Sequence, residues 1–231
     1  MHSAADACEA PSGATEVKIP EILQFELPAS RFHGANRLGS NSLLDIVVLG
    51  REAARRCAAT IRPGSAQPPL GKDAGEMAIY RLDCLRYAKG TRPTAELRMQ
   101  MQKIMQMDAS VFRTAASLQE RAARLDRTMR FMPDIAVRDR SLIWNTDLSK
   151  SLEFQNLLLQ AIATMHSALA RTESRGAHAR EDFPKRDDLS WLKHTLAWVT
   201  AEGEVRLGYR PVHLATLSSD VETIPPTAGV Y

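Results

Sequence analysis

Apolar runs long enough to cross a membrane are missing from these 231 residues. The best candidate, Asn156–Met165, is cut by Gln160 and falls short of the ~18–20 residues that a spanning helix needs. The N-terminus has no apolar signal core, and no Arg precedes Arg31. A secretory signal and an Arg-rich presequence are both unsupported, although a presequence already removed would leave no trace. Cysteine is scarce: Cys8, Cys57 and Cys84 lie far apart, and none forms a CxxC pair. An odd number excludes a complete disulfide framework and fits a reducing compartment, where buried thiols serve as small hydrophobes. Aromatics make up only 6%, which argues against a base-stacking surface. The charge excess is slight, 30 Lys+Arg against 27 Asp+Glu for +3. With signs so mixed, it supports no nucleic-acid partner and no anionic membrane.

What is present is ordinary globular material, 44% hydrophobic and 25% charged, which excludes a mostly disordered chain. Residues 1–30 are Ala/Ser/Gly-rich and punctuated by Pro11, Pro20 and Pro28, an extension or arm lying on something else. The Gly/Ser/Asn run from Gly34 to Ser42 is a loop ending in a helix N-cap. The helix that follows, through Ile46, Val47, Val48, Cys57 and Ala58, is apolar on nearly every face until Arg51 and suits burial in a larger body. Residues 62–76 carry Pro63, Pro68, Pro69 and three glycines, and form a linker.

Helical spacing dominates after Pro93. Thr94 suits an N-cap, followed by Leu97, Met101, Ile104 and Met105. A second helix carries Leu118, Ala122, Leu125 and Met129 and stops near Pro133. The longest runs from Leu148 to Ala170, with Leu152, Leu159, Ile162, Met165 and Leu169 on its apolar side. Three amphipathic helices with short connections predict a helical bundle. Trp191–Thr200 and Val205–Tyr209 then bracket Ala201-Glu202-Gly203-Glu204, a β-hairpin. The Pro-containing tail is extended. The fold class is mainly α.

Two segments carry candidate chemistry. In the Gly34–Ser42 loop several backbone N–H groups converge at a helix start, a natural anion or carbonyl site. Arg37 within it would offer a bidentate fork to a carboxylate or phosphate. On residues alone, an ordinary capped helix with a surface Arg remains the simpler account. The segment Glu173–Asp182 gathers His178, two Arg and three acids around Gly176. A metal or general-base site on His178, Glu181 and Asp182 competes with a helix end stopped at Gly176 and bound by salt bridges. The second account is preferred, since no further His or Cys stands nearby to complete a metal shell. Met99, Met101, Met105 and Met107 invite a copper cluster but suit core filling. Arg121–Arg130 makes a solvated helix face, not an RNA-binding one.

Taken jointly, several motifs resemble the flavoprotein subunit family of succinate dehydrogenase and fumarate reductase. They are His33-Gly-Ala-Asn-Arg-Leu-Gly-Ser-Asn-Ser-Leu-Leu-Asp45, Met101-Gln-Lys-Ile-Met-Gln106 with Val111-Phe-Arg113, and Trp144-Asn-Thr-Asp-Leu148. Glu173 through Pro184, Lys193-His-Thr-Leu196, Tyr209-Arg-Pro-Val212, Ile224-Pro-Pro226 and Tyr231 follow in the family's order. The segment Ala179–Pro184 is closer to the succinate dehydrogenase version than to fumarate reductase, and L-aspartate oxidases diverge after Glu-Ser-Arg-Gly. The family's dinucleotide-binding GxGxxG, the His that attaches FAD and the capping domain have no counterpart here.

The resemblance implies the C-terminal half of a split flavoprotein. Residues 1–30 are then an arm, 31–92 the terminal segment of an FAD-binding domain, 93–185 a helical bundle, and 186–231 a hairpin and extended tail. Arg37 would grip succinate or fumarate. Ser42 and Leu43 would contact FAD, shared with an N-terminal partner chain that carries the dinucleotide-binding and capping domains. Arg175, His178 and Arg180 would brace the bundle against the FAD domain. Electrons would pass to an iron–sulfur subunit and quinone, with membrane-anchor subunits holding the complex at the matrix side of the mitochondrial inner membrane. The chain alone would be inactive. The alternatives are a structural or assembly subunit of complex II, or a relative of L-aspartate oxidase or fumarate reductase.

Overall fold

The computed structural model describes residues 41–66, 69–108, 112–215, 219–220, 222–223 and 225. The described chain is mainly helical. Its helices are α1 (Asn41–Thr60), α2 (Glu76–Arg86), α3 (Thr94–Asp108), α4 (Ala115–Met129) and α5 (Thr146–Ala170). One antiparallel hairpin, β5 (Lys193–Val199) and β6 (Val205–Pro211), pairs Lys193 with Pro211 through to Val199 with Val205. Four two-residue strands complete the order: β1 (Arg92–Pro93), β2 (Phe112–Arg113), β3 (Ile135–Ala136) and β4 (Ala179–Arg180). They pair in parallel, β1 with β3 and β2 with β4.

The three helices expected from the spacing form the core. Leu97, Met101 and Ile104 of α3 meet Leu118, Leu125 and Met129 of α4 and Phe154, Leu158, Ile162 and Met165 of α5. Met101 is buried and Met105 half-buried, so these two fill the core, whereas Met99 and Met107 face solvent. The apolar stripe expected on α5 is off centre. Ile162 and Met165 of that stripe are fully buried, but Leu152, Leu159 and Leu169 are half-buried, and Phe154 and Leu158 share the deepest positions. The cause is the helix's central position, with α2, α3, α4 and the hairpin packed around it.

Caps fix the helix starts. Thr114 and Ser117 form a reciprocal capping box on α4. Asn145 Oδ1 accepts from the Leu148 N–H at 2.8 Å, and its amide donates to the Asp139 and Ser141 carbonyls. Thr94, expected as the N-cap, is the first residue of α3 and is buried, with its hydroxyl 2.6 Å from Ser151 Oγ. That bond ties α3 to α5. The hairpin turn presses on the bundle through Gly203, whose φ is +90°. A Cβ there would lie 2.9 Å from Met129 Cγ and 3.3 Å from Ile162 Cδ1.

Two further expectations need correction. The α1 helix is present, but every α1 side chain among the described residues is exposed, Leu43, Ile46 and Val47 included. The body that would bury it is not among the described residues. Cys57, expected to be buried, is likewise exposed, and Cys84 is half-buried. The α2 helix was not anticipated after the linker. It has no buried residue of its own, although Leu82 and Leu85 pack on the core edge.

Candidate functional site

The polar cluster at the end of α5 is the most deeply buried concentration of charge. The helix ends at Ala170, six positions before Gly176, so Gly176 is not its stop. Gly176 instead takes φ +58° in a tight turn where Arg175 and His178 exchange backbone hydrogen bonds at 2.8 and 3.1 Å.

The actual cap on α5 is Arg180. Its side chain is buried, and Nη1 donates to the carbonyls of Ala168, Leu169 and Arg171 at 3.3, 3.3 and 3.0 Å. Its other face makes a bidentate pair with Asp182, both contacts at 2.8 Å. Asp182 also accepts from the Ala115 N–H at 2.7 Å, at the start of α4. The cation thus sits at the negative end of one helix and the anion at the positive end of another, so both dipoles favour the pair. Its Arg180 bond, above all, holds the Asp182 carboxyl well below the usual range, with the Ala115 N–H assisting.

Glu173, also fully buried, collects the neighbouring cations. It accepts from Arg171 Nη1, from Arg175 Nε and Nη2 at 2.8 and 2.9 Å, and from the Asp187 N–H at 2.9 Å. Burial pushes this carboxyl up, but those hydrogen bonds together hold it below its ordinary value. Arg171 continues to the hairpin, donating to the Trp191 and Lys193 carbonyls and to Thr195 Oγ1 while lying over the Trp191 ring. It fastens the hairpin to the bundle.

His178 bridges the remaining gap. Nδ1 accepts from Arg113 Nη1 at 2.8 Å, and Nε2–H donates to the Arg171 carbonyl at 3.3 Å. Burial lowers its pKa to about 4, and Arg113, Arg180 and Arg171 reinforce the shift. The imidazole is therefore neutral at pH 7, and both nitrogens are occupied. Glu181 is exposed and Asp182 is held by Arg180. No group of three or more His, Cys, Asp or Glu among the described residues is placed to hold a metal ion. The cluster is a structural junction, as the salt-bridge account expected. Sequence reasoning missed Arg171 and Arg113 as its members. An Arg directly after α5 was the available signal for the first, and nothing local marked the second.

The other candidates lie at the start of the described chain. Arg37 is outside the described residues, as is the Ser42 side chain; Leu43 stands 73% exposed on the first turn of α1. That turn carries no acidic residue, so no carboxylate cancels the partial positive charge at the helix start.

A family profile described as fumarate reductase flavoprotein C-term matches residues 98–231. The chain belongs to this family. It is 54% identical over 206 residues to the mitochondrial succinate dehydrogenase flavoprotein subunit of rice, covering 89% of this chain and 32% of that protein. The Rickettsia bellii succinate dehydrogenase flavoprotein subunit is 52% identical over 199 residues, 86% of this chain and 33% of that one. Among solved structures, an Escherichia coli quinol fumarate reductase superposes with a TM-score of 0.71 at 38% identity, covering 80% of this chain and 32% of that one. The Sdh1 complex of Mycobacterium smegmatis in its apo form gives 0.72 at 26% identity, covering 81% and 32%. The chain corresponds to the C-terminal region of succinate dehydrogenase flavoprotein subunits and spans about a third of the length of the curated relatives it matches. Among the described residues, none of its helices is long and apolar enough to cross a membrane.

Proposed function

We propose that this chain is the C-terminal part of a succinate dehydrogenase flavoprotein divided between two chains. It completes an FAD and dicarboxylate site whose other parts an N-terminal chain supplies. One observation supports the reading: the chain is 54% identical over 206 residues, 89% of its length, to the rice succinate dehydrogenase flavoprotein subunit. In this reading residues 31–92 end an FAD-binding domain, 93–185 form the bundle, and 186–231 the hairpin and tail. Residues 1–30 are an arm.

The residues present fit FAD at the start of α1. A helix N-terminus without a first-turn acid suits an electron-rich ring, and exposed Leu43, Ile46 and Val47 suit packing against another body. Ser42 and Leu43 would contact the cofactor. FAD, when bound, supplies the acceptor for the two electrons that leave succinate. Arg37 binds a substrate carboxylate with its planar fork and fixes the dicarboxylate's orientation. A base on the N-terminal chain takes the proton. The junction at Arg175, His178 and Arg180 keeps the bundle rigid behind the FAD domain.

An iron–sulfur subunit takes the electrons on towards quinone. Membrane-anchor subunits hold the assembly at the matrix face of the mitochondrial inner membrane. Native purification through this chain tests the reading. The expected companions are a GxGxxG-bearing protein, an iron–sulfur protein and bound flavin; a chain running alone and colourless overturns it. In the assembled complex, Arg37→Lys should retain flavin and lose succinate oxidation by at least about 100-fold, because a point cation cannot replace a bidentate clamp. Near-normal turnover would remove Arg37 from the site.

A further inference from the structure

A pocket of about 130 Å³ opens between α3 and α4. Gln100 and Ile104 line it from α3, Arg124, Arg127 and Thr128 from α4, and Phe131 from just beyond α4. Ile104 belongs to the buried core and half-buried Phe131 packs against it, so the apolar part of the lining is firmly backed. Arg124 and Arg127 are exposed, and neither has a side-chain hydrogen bond or ion pair among the described residues. They stand three positions apart on one helix, where side chains are neighbours about 5–6 Å apart at Cβ, so both planar forks can converge on one group. Gln100 Nε2 gives one N–H to Glu96 Oε1 at 3.2 Å and has a second to offer.

The lining therefore presents mainly donors, and a guanidinium cannot accept. A neutral or cationic ligand would leave these groups unmatched. No acid lines the pocket. Glu96 and Asp134 stand outside it, 3.8 and 3.5 Å from Arg92, which lies over the Phe131 ring at 4.0 Å. With Arg92 those acids sum to one negative charge, against two whole cations in the lining. Glu120 is paired with Arg121, and Asp126 with His166 of α5. The α4 C-terminal carbonyls add only about half a negative charge. A carboxylate, with two oxygens and one charge, matches one fork. A phosphate monoester brings three acceptor oxygens and nearly two charges at neutral pH, enough for both.

We propose that this pocket binds the phosphate group of a small monoester, with the organic part lying against Ile104 and Phe131. The proposal goes beyond the flavoprotein reading and stands on this pocket alone.

The test is calorimetric titration of phenyl phosphate into the full chain, purified natively with the companions it keeps, at about pH 7.5 and fixed ionic strength. The expected result is a saturable heat whose affinity falls at least about tenfold in Arg124→Gln and in Arg127→Gln, since each removes charge-assisted hydrogen bonds. Inorganic phosphate, which lacks the apolar body, and benzoate, which carries one charge, should each bind at least about tenfold more weakly. Arg130→Gln removes the same charge from an exposed position outside the lining and should change binding by less than about twofold. No saturable heat, equal binding of inorganic phosphate or of benzoate, or the same affinity in all the variants would each overturn the proposal. Both target side chains are exposed, and an unchanged melting temperature of the variants separates a lost ligand from a lost fold.

Discussion

Acidification should weaken this fold through one imidazole. His178 has a folded pKa of about 4 against an ordinary 6.5. The unfolded chain therefore binds a proton that the folded chain refuses. Stability supported by the neutral ring is complete above the unfolded pKa and is lost as pH falls from 6.5 towards 4. At about pH 5 the unscreened loss is about 2 kcal/mol, from ~1.4 kcal/mol per pH unit. The ring is only part-buried, so solvent screening reduces this to about 1 kcal/mol. For a chain of this size that lowers the melting temperature by about 2–4 °C. Urea titrations at about pH 7.5 and pH 5 on the wild type and on His178→Gln measure it, since Gln cannot titrate but still accepts from Arg113. The wild type should lose about 1 kcal/mol more than the variant. Parallel pH dependence in the two proteins would refute the assignment. Carboxylates held low, Glu173 and Asp182 among them, act in a different window, because they lose their contribution only below the ordinary carboxyl range.

Other perturbations probe the same frame. Arg180→Met strands the Ala168 and Leu169 carbonyls of α5 and the Asp182 carboxylate, and leaves the Arg171 carbonyl to His178; it should cost about 3–5 kcal/mol in urea unfolding, and a loss under about 1 kcal/mol would show that water replaces the cap. Phe154→Ala, at a fully buried position in the bundle centre, should cost about 3–5 kcal/mol with an unchanged denaturant slope. Gly203→Ala meets both a positive φ and the Met129 side chain. It should destabilise by about 1–2 kcal/mol, against the gain that Gly→Ala brings at compatible sites, and thermal melting decides the sign.

Much of the bundle was legible because its helices bury one stripe each. Leu97, Met101 and Ile104, or Leu118, Ala122 and Leu125, recur at helical spacing and point at the same core. The hairpin announced itself by two strands around Ala201–Glu204. The α2 helix stayed hidden because it buries no complete face and follows a Gly/Pro-rich linker. On α5 the periodicity found Ile162 and Met165 but missed Phe154 and Leu158, since a helix packed on several sides buries a face too wide for a single stripe to mark its deepest line. Glu173–Asp182 showed its charges but not their depth. Nothing in Ala-Arg-Glu-Asp tells that the Arg is buried and the Glu exposed, because that follows from where two distant helix ends meet. Arg37 lies outside the described residues, and its role rests on the family motif and a guanidinium's geometry.

The parallel pairing of β2 with β4 has a consequence in time. Arg113 and His178 stand 65 positions apart, so a ribosome adding about 5–20 residues per second needs about 3–13 s to emit the second after the first. Towards the end of that interval α4 and α5 are already made, yet the residues that lock their ends together are not. The bundle's closure is therefore a late event, paced by synthesis and not by helix formation, which takes microseconds. Chains stalled or truncated between Ala170 and Arg180 carry all three core helices without the cap that finishes them, and are the species a protease should take first.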